Sequence, residues 1–515
     1  VLAGGVKAGE VTGVGSVFAH KPDLELTKWW ACHLTCHFVS QESNNAASSN
    51  RLSRDVVINL SILVLGAMIM ILNETSLSVA LPAIMADFSI PAASAQWLTT
   101  GFMLTMGVTI PTTGFLLERF TTRQIFLAST GMFLAGTVIA ALAPVFIVLL
   151  AGRVVQAAGT ALMIPTLMTV AMTLVPPQRR GSVMGIISIV ISVAPALGPT
   201  VGGAILNALS WHFIFWAMVP LVAFILFAGA IKLVNVGENR NTPLDPFSVV
   251  LSVLAFGGLV YGLSSIEKML EGKGMVEIIV SVVGVVALII FTRRQMSLAK
   301  DNRALLDLRP FRVRNYTIAV AIMLISFGLM LGLVTVLPIY LQTSVGVSAL
   351  VTGLVVMPGG LLQGIISPFV GRIFDARGPR PLMIPGAILL VAGLFLMATL
   401  DAESQVWMVV AMHVTFALGM GLMMTPLMTT ALSSLPHELY SHGSAIMNTL
   451  QQLAGATGTA FLVVFLTRGT VAGIQSGMDE AAAIAQGAHW AFLFAGAASI
   501  VVLVLAPLLR PVPQD

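Results

Sequence analysis

From Val56 to Leu509 the chain is built of long apolar blocks separated by short clusters of charged and turn-forming residues. Fourteen blocks are readable, at 56–85, 94–117, 124–143, 146–173, 182–206, 212–233, 247–266, 275–292, 316–340, 348–371, 381–400, 406–432, 444–467 and 489–509. Each approaches or exceeds the roughly 20 mostly apolar residues that a helix needs to cross a bilayer. Helices that satisfy their own backbone hydrogen bonds are one of the few structures that survive there. The pattern predicts an all-α membrane protein of fourteen transmembrane helices.

Composition agrees. Of 515 residues 57% are hydrophobic and only 9% charged, with mean hydropathy +0.95, whereas soluble domains carry about 25% charged residues. The distribution of Lys and Arg adds orientation. With the N-terminus inside, 19 of the 26 basic residues fall in inner segments from Arg51 onward and three (Lys268, Lys273, Arg468) in outer loops. Arg153 lies within a block, and Lys7, Lys21 and Lys28 precede the first one. By the positive-inside rule this asymmetry predicts both termini in the cytoplasm. The formal charge of +4 and pI near 9.3 then report orientation, and no nucleic-acid partner is expected.

Residues 1–54 are a polar leader without the apolar core of a signal peptide. The first Met is Met68, already inside the first block, so translation begins at a non-AUG codon or the N-terminus is processed. A disordered leader or a mis-assigned start is expected. Its Cys32, His33, Cys36 and His37 are zinc-ligating types, but their spacing matches no common zinc pattern and no metal site is expected. No cysteine follows them, so disulfides play no part in the helical body.

Internal repeats organise the blocks. "GFLLERFTTR" from Gly114 and "GRIFDARGPR" from Gly371 share G-x-x-x-[DE]-x-x-x-x-R, and "IPTLMTVAMTLVPPQRRGSVMG" from Ile164 is echoed by "TPLMTTALSSLPHELYSHGSAIMN" from Thr425. Two homologous six-helix halves, at 55–240 and 301–510, are therefore expected. Two inserted helices and their connection occupy 241–300, and 511–515 is a short tail. Parallel-repeat transporters with this plan hold substrate near mid-membrane between the halves.

The motifs carry a family resemblance. Residues from about 55 to 509 resemble the major facilitator superfamily, and within it the fourteen-helix drug:proton antiporters of lincomycin-resistance type. The loop after the second block matches the family's gating loop at Gly114, Glu118, Arg119 and Arg123, with Glu118 for Asp and Thr121 for the second Gly. Gly permits a tight turn that Thr resists. In the second half Gly371, Asp375, Gly378 and Arg380 keep the pattern more closely. The resemblance implies cytoplasmic latches that alternating access must break; positive-inside anchoring is the plainer reading. In "GRVVQAAGTALMIPT", Arg153 is a guanidinium inside an apolar helix, where it needs an acceptor or water. Gln156 lies one turn away. The resemblance implies a role in proton coupling; a structural pairing is the alternative. The repeat places Val414 opposite Arg153, with His413 next door as a core histidine or a second polar site. "SVAPALGPTVGGAI" resembles the antiporter motif through Gly198, Pro199, Gly202 and Gly203, with Ala194 replacing its first Gly. Its small residues at i, i+4 and i+8 let helices approach closely, and Pro199 removes a backbone donor and is expected to kink the helix.

Where the family has Asp in its first span, this chain has Asn73, and a carboxylate follows at Glu74. One residue is about 100° of helix rotation, so Glu74 does not inherit the Asp role automatically. Three readings stand: a proton carrier whose ionisation is switched by Arg153 or an arriving cation, a static ion pair with Arg153, or direct recognition of a cationic drug. The proton-coupling pair is taken as Glu74 and Arg153, and the substrate cavity as Asn73, Gln156, Met163 and His413.

No G-x-x-x-x-G-K-[ST] loop is present, so ATP is not the direct energy source, and no nucleophile or metal constellation suggests an enzyme. The resemblance implies a proton-driven multidrug exporter of the bacterial cytoplasmic membrane, exporting lipophilic or cationic drugs and antibiotics such as lincosamides. It would need no cofactor beyond the proton gradient and would act on drugs and protons as a monomer in the lipid bilayer. An exporter of one metabolite, lipid or osmolyte on the same fold is the alternative.

Overall fold

The computed structural model describes residues 53–510 apart from 96, 237–244, 267–268, 270–271, 273 and 302. The zinc-type residues of the leader and the tail lie outside the described residues. Fourteen helices are long and apolar enough to cross a membrane, and no strand occurs among the described residues.

Six helices come first: α1 (Arg54–Phe88), α2 (Trp97–Arg119), α3 (Thr122–Ala141), α4 (Phe146–Leu174), α5 (Arg180–Ala208) and α6 (His212–Lys232). The inserted pair follows. α7 runs Pro246–Ser252 and Gly258–Ser264 around a π turn at Val253–Gly257, and α8 is Met275–Leu298. The last six are α9 (Arg314–Ile339), α10 (Ala349–Arg377), α11 (Arg380–Met397), α12 (Val406–Ser433), α13 (Tyr440–Gln475) and α14 (Glu480–Leu505). Arg119, Arg123, Arg180, Arg377 and Arg380 stand at or next to helix ends on one side of the bundle, its basic end.

One expected loop is helix. The apolar blocks leave 468–488 as a connection, but α13 continues to Gln475 and α14 begins at Glu480. The run after Asp479 is rich in Ala, the strongest helix former. Glycines let the two helices meet backbone to backbone: a Cβ on Gly469 would lie 2.7 Å from Gly487 Cα.

Without a hydrophobic driving force in lipid, helices associate through small residues and close packing, and this reveals the repeat. A Cβ on Gly136 of α3 would lie 2.6 Å from Gln156 N of α4, and one on Gly393 of α11 2.7 Å from Phe416 N of α12. Gly159 meets Phe133 N at 2.8 Å as Gly419 meets Leu390 N at 2.6 Å. These pairs relate α3 to α11 by 257 residues and α4 to α12 by 260. The register corrects the sequence expectation: His413, not Val414, stands opposite Arg153. The echoes, aligned from Ile164 and Thr425, run 261 residues apart, one more than the helix contacts give.

The first and last sets of helices meet along two seams at the basic end. On one, α5 faces α10: a Cβ on Gly185 would lie 2.6 Å from Ser367 O, and one on Gly364 2.4 Å from Val193 Cγ2. This seam runs about 18 Å from Gly181 to Val193 at 1.5 Å per residue. Thr425 Oγ1 of α12 donates to Ser188 Oγ of α5 at 2.9 Å along the same interface. On the other seam α2 faces α13. The inserted α7 lies against α2, with Trp97 and Tyr261 rings stacked at 6.1 Å and Gly257 opposite Val108, and it also touches α13. α8 turns Val276, Ile279, Val282 and Ile289 outward, as a lipid-facing helix does.

Candidate functional site

α1 passes without a break through Asn73 and Glu74. Asn73 is fully buried, and its Oδ1 accepts from Gln156 Nε2 of α4 at 3.1 Å. The same amide nitrogen donates to Thr137 Oγ1 of α3 at 2.8 Å, and Gln156 Oε1 accepts from Arg153 Nη1 at 3.0 Å. Arg153 is 1% exposed and lays its guanidinium over the Phe102 ring of α2 at 4.1 Å, a cation–π contact strengthened where water is excluded. Four helices therefore converge on one polar cluster. Two of its donors, Arg153 Nε and Asn73 Nδ2, have no hydrogen-bond partner.

Glu74 stands beside this cluster, half-buried and within electrostatic reach of Arg153. The two form no ion pair within 4 Å; the acceptor that Arg153 uses is Gln156. The static-pair reading of Glu74 therefore lacks its contact in this conformation. At 1.5 Å per residue, Glu74 lies about 30 Å along α1 from the basic end.

The antiporter-motif helix packs directly on this stretch of α1, which the sequence did not reveal. Ser76 Oγ donates to Gly198 O at 2.9 Å, and Thr75 Oγ1 to Ala194 O at 3.5 Å. A Cβ on Gly198 would lie 2.0 Å from Thr75 Oγ1, and one on Gly202 2.7 Å from Ser76 O. Gly203 has open space where a Cβ would point. The helical backbone continues through Pro199.

Two residues assigned to the cavity sit elsewhere. Met163 is fully buried, with its Cε 3.2 Å from where a Cβ on Gly66 would be and Ile225 beyond, which is packing within the first six helices. His413 is buried against Gly359 of α10, and its Nδ1 has no hydrogen-bond partner.

The gating-loop residues divide by role. Asp375 accepts from Gly181 N at 2.7 Å, Ser182 N at 2.8 Å and Ser182 Oγ at 2.5 Å, a carboxylate set on the N-terminus of α5 across the seam. Gly371 makes room for it, since a Cβ there would lie 2.2 Å from Gly181 O. On the other seam Glu118 Oε1 meets His442 Nε2 of α13 at 3.1 Å, and a Cβ on Gly114 would strike the same imidazole at 2.7 Å. Arg123 and Arg380, expected in the latches, instead anchor helices within each set: Arg123 donates to the Ala230 carbonyl of α6, and Arg380 Nε to Leu509 O at 3.0 Å. Arg119 lies near the Phe115 and Phe120 rings.

The departure at Thr121 has a physical answer. Gly378 takes φ +73° to end α10, as Gly does without strain. Thr121 is extended at φ −67°, ψ 150° and caps α3 reciprocally with Gln124, so its turn needs no left-handed residue.

The model of the Major Facilitator Superfamily matches residues 63–459. The chain belongs to that superfamily. The lincomycin resistance protein LmrB of Listeria monocytogenes is 38% identical over 454 residues, covering 87% of this chain and 95% of the relative. A multidrug resistance protein B homolog of Mycobacterium tuberculosis is 28% identical over 429 residues, 82% of this chain and 79% of its own. The human organic anion transporter MFSD10 shares the fold, with a TM-score of 0.63 at 14% identity over 88% of this chain and 100% of that one. The chain is thus a membrane transporter rather than an enzyme, in the fourteen-helix, lincomycin-resistance branch of the superfamily.

Proposed function

We propose that this transporter is a proton-driven exporter of lipophilic or cationic drugs, lincosamides among them, in the bacterial cytoplasmic membrane with its basic end in the cytoplasm. The observation that carries this reading is the half-buried Glu74 carboxylate, unpaired but within electrostatic reach of an Arg153 held by Gln156. A carboxylate locked in an ion pair could not exchange its proton; one near a fixed positive charge changes its proton affinity when that charge or a cationic drug moves. The names of its relatives, a lincomycin resistance protein and a multidrug resistance protein homolog, support the substrate class.

The conformation suits the loading of a proton from outside. Both seams are closed at the basic end, and Glu74 lies about 30 Å away from it. Protonation of Glu74 from the outer side then favours drug release, and return to the cytoplasm-open state frees the proton and admits the next drug. Coupling requires that proton and drug each prefer one state, since a ligand indifferent to the conformation shifts nothing.

Everted vesicles test this reading. Adding lincomycin or ethidium should collapse a pre-formed proton gradient with the native protein, and Glu74→Gln should abolish the response at equal membrane abundance. Normal exchange by Glu74→Gln would remove Glu74 from the mechanism. No exchange by the native protein with any drug would favour a single-metabolite exporter.

A further inference from the structure

The inserted helices are tied to the α2–α13 seam by a continuous chain of hydrogen bonds. Arg294 of α8 grips Asp245 with Nε at 2.7 Å and Nη2 at 3.0 Å, and Ser248 Oγ donates to the same carboxylate at 2.5 Å. Gln295, fully buried, donates from Nε2 to Ser248 Oγ at 2.7 Å. Its Oε1 accepts the backbone N–H groups of Leu305 and Leu306 at 2.8 and 3.2 Å. One residue on, Asp307 N–H donates to His442 Nδ1 at 3.3 Å. Because Nδ1 accepts, the neutral imidazole carries its proton on Nε2. That nitrogen faces Glu118 Oε1 across the seam at 3.1 Å.

We propose that Gln295 is a positioning residue for transport: it pins the 305–307 strap so that Asp307 holds His442 in the orientation and tautomer that close the seam on Glu118. The inserted pair is then a brace on one seam only. The α5–α10 seam is closed instead by Asp375 on the N-terminus of α5. A side-chain amide suits the task. Its single oxygen accepts two adjacent backbone N–H groups that would otherwise be buried without partners, while its nitrogen remains free for Ser248. The inference depends on alternating access, which the superfamily fold supplies, and not on the substrate or the coupling ion.

Spin labels at Phe120→Cys and His437→Cys, in full-length protein with Cys32 and Cys36 changed to Ser, would report the separation of the two sides at the basic end. Reconstituted in lipid nanodiscs, Gln295→Leu should move the population ratio about tenfold toward the longer distance, as loss of a buried doubly used acceptor implies. Ser248→Ala, which leaves Gln295 Oε1 on both N–H groups and removes only the partner of Nε2, should shift the ratio in the same direction but less than Gln295→Leu. In a Glu118→Gln background, Gln295→Leu should add little, because residues acting through one contact are not additive. An unchanged distribution in Gln295→Leu, an equal shift in both backgrounds, or a shift in Ser248→Ala as large as that in Gln295→Leu would each overturn the proposal. If Gln295→Leu does not accumulate, Ser248→Ala, which removes only the hydroxyl holding Nε2, must produce a smaller shift in the same direction; no shift would likewise overturn it.

Discussion

At Asn73 a single amide replaces a family carboxylate, and its Nδ2 donor is left buried without an acceptor while Oδ1 serves Gln156. Asn73→Asp would keep that acceptor, remove the unsatisfied donor and bring a negative charge toward Arg153. Stranding a buried donor costs about 1–3 kcal/mol, so Asn73→Asp should raise the thermal midpoint in detergent by a few degrees. Combined with Glu74→Gln it asks whether the position or the mere presence of a carboxylate matters. Restored drug-driven proton release in Asn73→Asp/Glu74→Gln would show that either site serves. A stable but silent double variant would tie coupling to the position of Glu74. The polar residues of this cluster were legible because charge inside an apolar block is conspicuous; Glu74, Arg153 and Gln156 announced themselves. Thr137 and Phe102 did not, since one Thr and one Phe in a membrane helix carry no distinguishing signal. Met163 was misplaced because Gln156 and Thr160 lie at helical spacing from it, and spacing alone does not show that its side chain ends against Gly66 of α1.

Among whole elements, α1 and α5 show how a motif divides once its partner is known. Small residues at Ala194, Gly198 and Gly202 predicted close approach, but sequence periodicity cannot name the helix approached. The structure supplies α1 at Thr75 and Ser76, next to Glu74. Gly198→Ala would drive a methyl group into Thr75 and should cost about 1–3 kcal/mol, as overpacking does. Gly203→Ala enters open space and should be silent. Paired thermal-unfolding and efflux measurements check this; equal damage from both would mean that backbone conformation rather than packing dictates the motif. At the inserted pair, the Arg294 guanidinium holds the Asp245 carboxyl down to about 2 from its ordinary 3.8. A depressed carboxylate contributes stability that is complete above its unfolded value and is lost as pH falls through about 2. The α7–α8 clamp is therefore expected to be insensitive to pH between 5 and 8, and pH profiles of transport in that range should be unchanged by Asp245→Asn.

The whole molecule places its proton candidate and its closed seams at different depths, and alternating access must connect them. Fourteen spans and the repeat could be read from hydropathy because a bilayer imposes length and polarity on every crossing segment. The register within the repeat could not, because two mostly apolar segments align almost equally well one residue apart; the backbone contacts at Gly136 and Gly393 fix it. The seams are likewise products of packing. Asp375 completes three hydrogen bonds to the first turn of α5, and contacts between charged and neutral groups contribute about 1.5–3 kcal/mol each. Asp375→Asn preserves shape but removes the charge at that helix N-terminus. It should shift the equilibrium at least about tenfold toward the state open at the basic end, since 1.4 kcal/mol suffices for that factor. Ser188→Cys reads this directly: Ser188 is 4% exposed and engaged with Thr425, and a thiol there can meet a membrane-impermeant maleimide only when the α5–α10 seam parts. In everted vesicles, whose cytoplasmic face is outward, labelling should accelerate in proportion to the open population. An unchanged rate would mean that Asp375 is incidental to closure and that the energy of the closed seam resides in the tight backbone contacts at Gly181, Gly185 and Gly371. In that case Gly185→Ala, not Asp375→Asn, should release the gate.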